Sequence, residues 1–405
     1  MADKLSIMNP MRIGHIIQSA SVAVGGPTAS TFALCTALSR EGCACAIACQ
    51  NRDSGELSGL DGSVAVSVFD VRRNPLASRA GNGALREFVA GVDILHLHGL
   101  WDPLPCVAAR IAREQRRPYL VSLHGMLLER SVAHHRLRKH LFLAVVGNRV
   151  LRGAAALHFT TQAELDQAAP LLPPGPERVV IPLTIESALL DNLPEANRWR
   201  QYFPELPDSW PRLLFLSRVH PVKNLPSLIA AIPTLAEEFP GVHLVVAGGG
   251  EAGYVRKMRQ LAGSSIASKR IIFCGPVSGA AKASLICSSA IMAIPSFHEN
   301  FGMAVAEGLA CAVPTLVTPG LGIGAEILAC GAGFPCGEDA RSIAESLQSS
   351  LRRPELLRGA GEKGRRWALR MLSPSGVAGR FTQLYASVGA SRSTSLLASS
   401  GPNDE

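Results

Sequence analysis

The chain has 405 residues, 47% of them apolar and 18% charged, with a net charge of +8. At about 100–200 residues per domain that suits two or three domains, and the apolar share supports a sizeable core, which excludes wholesale disorder. The 38 glycines and 27 prolines follow no triplet period, which excludes a collagen-like rod. Aromatics at 5% are too few for a base-stacking surface, so nucleic acid is not expected as a partner; the positive balance favours an anionic ligand or surface.

Short apolar, β-branched runs alternate with helical patterns along the first half. Strands are expected at 13–18, 44–48, 64–69, 94–97, 119–123 and 157–160, and helices at 28–40, 105–115, 134–151 and 162–169. Cys43-Ala-Cys-Ala-Ile-Ala-Cys49 reads as a buried strand; three cysteines at this spacing with no nearby histidine do not suit zinc, and ten cysteines in a chain this long predict a reducing compartment. From 170 to 211 the sequence is rich in proline and reads as a linker without helix. The alternation then restarts, with strands at 213–217, 244–247, 271–274, 291–294 and 313–317. Helices are expected at 225–238, 252–262, 280–288, 303–310 and 341–351. This is the signature of two doubly wound, Rossmann-like α/β halves, whose ligands bind at the carboxyl ends of the strands. The expected boundaries are an N-terminal domain 1–185, a linker 186–211, a C-terminal domain 212–372, a crossing helix 373–388 and a disordered tail 389–405. Met1-Ala-Asp-Lys-Leu-Ser has no apolar run of signal-peptide length, and no stretch of roughly 18 apolar residues occurs. A cytoplasmic protein, at most peripheral to a membrane, is therefore expected.

The strongest local signal is Pro295-Ser-Phe-His-Glu299-Asn300-Phe301-Gly302-Met303-Ala-Val-Ala-Glu307. A strand ends, a loop follows, and a helix starts near Gly302, so the free N–H groups of Gly302 and Met303 suit a phosphate. Glu299 precedes the helix and Glu307 lies inside it. One carboxylate can then reach a sugar and the other a ribose, each accepting two hydroxyl hydrogen bonds; a helix cap and a surface acid would give the same spacing. Arg218 directly follows a strand, and Pro221 turns the chain so that Lys223 points back, giving two cations for a diphosphate leaving group. Gly25-Gly26-Pro27 opens a helix whose N-terminus faces the same kind of site. His96, His98 and His124 fall at strand ends. No His, Asp or Glu set has metal spacing, so neither a metal nor a cofactor is expected. A rival motif, Gly320-Leu-Gly322-Ile-Gly-Ala325 with Asp339 beyond it, fits a dinucleotide fingerprint, but it follows the fifth strand of its half rather than the first.

The Glu299–Glu307 stretch resembles the E-x7-E signature of glycosyltransferase family 4, retaining nucleotide-sugar transferases of the GT-B fold. Leu213-Leu-Phe-Leu-Ser-Arg218-Val-His-Pro-Val-Lys223-Asn is similar to that family's diphosphate-clasping segment. Phe273-Cys-Gly275-Pro-Val277 is similar to its base-contacting segment, and Ser122-Leu-His124-Gly-Met to its His-Gly strand end. Pro182-Leu-Thr-Ile stands in place of the family's Pro-Asn-Gly-Val, and Leu372-Ser-Pro-Ser in place of its aromatic segment. The resemblance, over residues 11–388, implies two Rossmann-like domains facing a central cleft. It implies a nucleotide-diphosphate sugar donor and a saccharide or lipid-linked acceptor, in bacterial-type polysaccharide, lipopolysaccharide or glycolipid assembly. It places His124 and Glu299 beside the transferred sugar as catalytic residues. Gly25, Gly26, Arg218, Lys223, Val277, Asn300, Phe301, Gly302, Met303 and Glu307 are placed around the donor. No metal is implied, basic side chains and helix dipoles taking its role. With no nucleophile in evidence on the far face, the implied route is front-side attack with the leaving diphosphate taking the acceptor proton. The stretch from Arg130 to Arg152 has no acid, and Arg136, Arg138 and Lys139 flank Leu137, Leu141, Phe142, Val145 and Val146. This fits a helix lying on an anionic membrane surface, and equally a core-facing helix with solvated arginines. Outside transferases, a nicotinamide oxidoreductase using Gly320–Ala325 and a catalytically silent sugar-nucleotide-binding partner remain as alternatives.

Overall fold

Runs such as Arg212–Leu216 (RLLFL) and His243–Ala247 (HLVVA) are apolar on both faces, so as strands they must be covered on both sides. The computed structural model describes residues 10–21, 26–50, 60–69, 83–133, 135–186, 189–190, 193–195 and 197–398. The chain forms two compact units, one of residues 1–184 with 374–405, the other of residues 185–373.

The first unit is built on seven parallel strands: β1 (Arg12–Ile16), β2 (Ala44–Cys49), β3 (Ala65–Val68), β4 (Ile94–His98), β5 (Tyr119–Ser122), β6 (Ala156–Phe159) and β7 (Glu177–Val180). Their order is β3-β2-β1-β4-β5-β6-β7, so the order reverses between β1 and β4. One face packs the helices Gly83–Ala90 and Pro103–Glu114, through residues such as Leu85, Val107 and Ile111. The other packs the helix Gly26–Arg40 and the last helix, Pro374–Ala398, through Phe32, Leu38, Phe381 and Tyr385. All ten cysteines are free thiols; Cys43, Cys45 and Cys49 are buried along β2.

The second unit is a six-stranded parallel sheet of β8 (Arg212–Leu216), β9 (His243–Ala247), β10 (Ile271–Gly275), β11 (Ile291–Met292), β12 (Thr315–Val317) and β13 (Gly333–Pro335). The order β10-β9-β8-β11-β12-β13 is that of a dinucleotide-binding half, with its switch point between β8 and β11. Leu228, Ile232 and Leu235 of the helix Leu225–Glu238 pack toward Ile343 and Leu347 of Ala340–Leu351, all fully buried.

Several expectations change. The helix expected over 134–151 is broken: His135 sits in the left-handed region at φ 62°, and a five-residue π-helical segment, Leu143–Gly147, separates Arg136–Phe142 from Asn148–Arg152. The expected linker 186–211 packs as part of the second unit and carries a helical turn, Trp199–Tyr202. Trp199 is the reason: it is buried, with the Arg212 guanidinium 4.0 Å from its ring. The crossing helix does not stop at 388. It runs to Ala398, because residues 390–398 contain neither Gly nor Pro to end it; residues 399–405 of the expected tail lie outside the described residues.

Tyr385 brings the last helix home: it is fully buried and its hydroxyl lies 2.8 Å from His96 Nδ1. Tyr385→Phe strands that nitrogen without a partner and is expected to cost about 1–3 kcal/mol of first-unit stability. Urea titration against wild type checks this; an unchanged midpoint would contradict it.

Candidate functional site

In a doubly wound sheet the loops that leave the strands on either side of the switch point diverge, opening a crevice at their carboxyl ends. In the second unit those loops follow β8 and β11. After β8 the chain passes exposed Arg218 and Val219, which bridges Gly250, and then makes a short turn at Pro221–Lys223. His220 caps this turn, its Nδ1 accepting the Val222 N–H at 3.2 Å. After β11 the chain reaches Glu299. The two loops are tied by the Phe297 N–H donating to Val222 O at 2.9 Å, and Lys223 Nζ forms an ion pair with Glu299. Lys223 is buried and Glu299 partly so, which leaves this pair less screened than one on the surface.

The Glu299 loop is held from behind. Its N–H donates to Gly320 O and its C=O accepts from Gly322 N–H, each at 2.8 Å. A Cβ on Gly322 would stand 1.7 Å from Asn300 O, and one on Gly320 2.3 Å from Phe297 O. These glycines are therefore spent on close approach of two backbones, which accounts for the rival Gly-x-Gly motif. Gly302, at φ 98°, turns the chain into the helix Met303–Ala310, which has no side-chain cap at its N-terminus. Inside this helix Glu307 meets Lys282 Nζ at 2.8 Å, reaching across from the helix Gly279–Cys287. Burial pushes the Glu307 carboxyl above its usual range and Glu186 adds to this, against the pull of Lys282.

The first unit carries a second cluster at its own switch point. His15 lies on β1, His96 and His98 on β4, Ser122 on β5 and His158 on β6, all buried. One hydrogen-bond chain can be read without ambiguity. Ile181 O only accepts, so His158 Nε2, at 2.7 Å, carries the hydrogen. Burial depresses His158 to about 4, so its ring is neutral and Nδ1 accepts from the Ser122 hydroxyl at 2.6 Å. Ser122 Oγ then accepts from His96 Nε2 at 2.6 Å, and His96 Nδ1 accepts from Tyr385. A second chain joins His15 Nδ1 to His98 Nε2 and His98 Nδ1 to His124 Nε2, each at 3.0 Å. His124 sits in the left-handed region at φ 47°, followed by Gly125 at φ 77°. The buried carboxylate of Glu164 holds this turn by accepting the Gly125 N–H at 2.5 Å and the Thr160 N–H and hydroxyl at 2.7 Å. His98, Ser122, His124 and His158 line a cavity of about 10 Å³, room for about one water molecule, with Ser30, Thr31 and Thr184. Nitrogens of His15, His96 and His98 come within 4.8 Å of one another, but both His96 nitrogens are taken by Tyr385 and Ser122.

Of the expected site residues, the second unit brings Lys223 against Glu299 directly. Arg218 lies earlier in the Lys223 loop, and Asn300, Phe301, Gly302 and Met303 lie between Glu299 and Glu307. Val277 lies in the loop after β10, just before the helix whose Lys282 meets Glu307. In the first unit, Gly26 opens the helix Gly26–Arg40 and His124 ends the β5 segment; Gly25 lies outside the described residues. Lys282, Glu164, His15, Ser122, His158 and Tyr385 were not foreseen. Only Glu164 had a local signal: Thr161 three residues before it caps the helix, accepting the Glu164 N–H at 3.0 Å.

Both units resemble known proteins. Residues 198–367 match the family model for glycosyl transferases group 1, and residues 25–184 match that for a glycosyl transferase 4-like domain. A D-inositol 3-phosphate glycosyltransferase from Xylanimonas cellulosilytica is 26% identical over 317 residues, 72% of this chain and 75% of the relative. Among solved structures, sucrose-phosphate synthase from Thermosynechococcus elongatus superposes with a TM-score of 0.75 at 19% identity, covering 94% of this chain and 100% of that one. Anabaena HepE in complex with UDP and glucose gives 0.74 at 19% identity, with 93% and 100% covered. At these identities the structural likenesses speak to the fold alone.

The histidines make stability depend on pH. Burial lowers His96 and His98 well below 6.5, His124 to about 3 and His158 to about 4. The unfolded chain protonates first as pH falls, so this stability is fully present above about pH 6.5 and is lost as pH drops toward the folded values. Each group contributes up to about 1.4 kcal/mol per pH unit within that window. Urea midpoints are expected to fall steeply between pH 7 and pH 5; a flat profile would contradict the buried neutral state.

Proposed function

The chain belongs to the group 1, family 4-like glycosyltransferases of the GT-B fold, and from that premise we propose that it moves a sugar, with retention, from a nucleotide-diphosphate donor to a hydroxyl of a saccharide or lipid-linked acceptor. The observation that carries this reading is the meeting of Lys223 and Glu299 at the β8/β11 switch point. A diphosphate arriving there competes with Glu299 for Lys223, draws on Arg218, and lies toward the uncapped N-terminus that opens at Gly302. Glu299, released from its lysine, then takes hydroxyls of the transferred sugar, and Glu307 takes the ribose. Asn300, Phe301 and Met303 shape the intervening wall, and Val277 borders the base. A uridine donor is supported by the complex of Anabaena HepE with UDP and glucose. A phosphorylated polyol is a further candidate acceptor, supported by the likeness to the D-inositol 3-phosphate glycosyltransferase of Xylanimonas cellulosilytica.

In this reading Gly25, Gly26 and His124 serve the sugar from the first unit. Front-side attack, with the leaving diphosphate taking the acceptor proton, needs no protein nucleophile. The product belongs to polysaccharide, lipopolysaccharide or glycolipid assembly at the cytoplasmic membrane face.

Lys223→Ala and Arg218→Ala are each expected to weaken UDP binding about tenfold or more, since a charged hydrogen bond is worth roughly 1.5–3 kcal/mol. Calorimetry giving unchanged affinity in both variants would remove the diphosphate assignment.

A peripheral membrane role is supported by the segment from Arg136 onward. Leu137 (84% exposed), Leu141 (64%) and Val145 (46%) follow one another at four-residue spacing beside exposed Arg136 and Arg138. No described helix is long and apolar enough to cross a membrane. Full-length protein is expected to co-sediment with phosphatidylglycerol vesicles at low salt, each basic residue contributing about 1 kcal/mol. Binding that survives Arg136→Glu with Arg138→Glu, or that is absent at low salt, would return this segment to a structural role.

A further inference from the structure

We propose that His98 is a positioning residue for His124: the buried chain His15–His98–His124 fixes His124 in a single tautomer, hydrogen on Nδ1, so that it meets the donor sugar as a neutral hydrogen-bond donor. The consequence for the reaction rests on the sugar-side reading of His124 above.

His98 is 6% exposed and uses both nitrogens, Nε2 toward His15 Nδ1 and Nδ1 toward His124 Nε2, each at 3.0 Å. The three rings lie nearly parallel, at 22° and 20° to one another, with centroids 5.3 Å apart at each step. A neutral imidazole has one donor and one acceptor nitrogen, so the chain must run in one direction or the other. The far end decides which. His15 Nε2 is fully buried and has no hydrogen-bond partner. If the chain ran from His124 inward, that nitrogen would carry a hydrogen with only the Cys45 sulfur, a weak acceptor outside hydrogen-bond geometry, beside it. Running outward from His15 leaves a lone pair there instead, facing the same sulfur. A buried N–H without an acceptor is the rarer and more costly arrangement. His15 Nδ1–H therefore donates to His98 Nε2, His98 Nδ1–H donates to His124 Nε2, and the His124 hydrogen is on Nδ1.

The backbone supplies the rest. The left-handed turn at His124–Gly125 is pinned by Glu164, so the ring is held at both its root and its inner nitrogen. No other described residue bonds its Nδ1, which leaves that N–H for a ligand oxygen.

The test is long-range proton–nitrogen NMR on full-length protein labelled with nitrogen-15 at histidine, with UDP-glucose as the probe ligand. The His124 signals are assigned by their loss in His124→Asn. The expected result is a neutral Nδ1–H ring for His124 in wild type. In His98→Glu, whose carboxylate accepts rather than donates, the hydrogen is expected to move to Nε2, whereas His98→Gln, whose amide can donate in place of the imidazole, should keep the wild-type pattern. A wild-type His124 with its hydrogen on Nε2 would overturn the proposal, even if His98→Glu does not fold. An unchanged tautomer in a folded His98→Glu would overturn it as well. The sugar-side reading fails separately, if His124→Asn turns over at the wild-type rate.

Discussion

Where strand order reverses in a parallel sheet, the loops leaving the two central strands must part, and backbone polar groups and charges can approach a ligand there without being buried by the sheet. The second unit depends on this constraint. β8 and β11 are neighbours, yet the connections that follow them go to opposite sides, and Lys223 and Glu299 meet over the gap. A buried lysine and a partly buried glutamate are tolerated because each neutralises the other until something more strongly charged replaces one of them. The surrounding devices keep the two loops at the right distance: the Phe297–Val222 bond, the pairing of Glu299 with the Gly320–Gly322 turn, and Gly302 at the head of the helix.

The first unit meets the same constraint with different chemistry. Its switch point falls between β1 and β4, and the side chains sent there are imidazoles rather than ions. Burying five charged groups together would be prohibitive; burying neutral rings is affordable when their nitrogens are paired. The Ile181 carbonyl orients one chain, and the Tyr385 hydroxyl from the last helix completes it. The result is a polar floor beneath the His124 turn, sensitive to acid because burial holds His96, His98, His124 and His158 neutral.

How much of this could be read from sequence depended on whether a signal was local. The alternation of strand and helix and the run from Glu299 to Glu307 were legible because each lies within a short window with its own period or motif. Lys282 was not, since its partner Glu307 is 25 residues away on another helix and neither belongs to a common spacing. Tyr385 finds His96 from 289 positions away, a pairing that only the fold creates. His135 broke an otherwise helical pattern by adopting a left-handed backbone that its residue type does not announce. Trp199 looked like part of a linker because a buried cation–π contact with Arg212 has no periodicity to betray it.

The central claim is that the two motif carboxylates divide the donor between them, Glu299 acting where charge develops and Glu307 on a part that does not react. Steady-state kinetics of Glu299→Gln and Glu307→Gln, with the nucleotide sugar on which wild type turns over, test this most directly. The account predicts that Glu299→Gln lowers kcat more than it weakens donor affinity, while Glu307→Gln chiefly raises the donor KM. A Glu299→Gln enzyme turning over at the wild-type rate would contradict it.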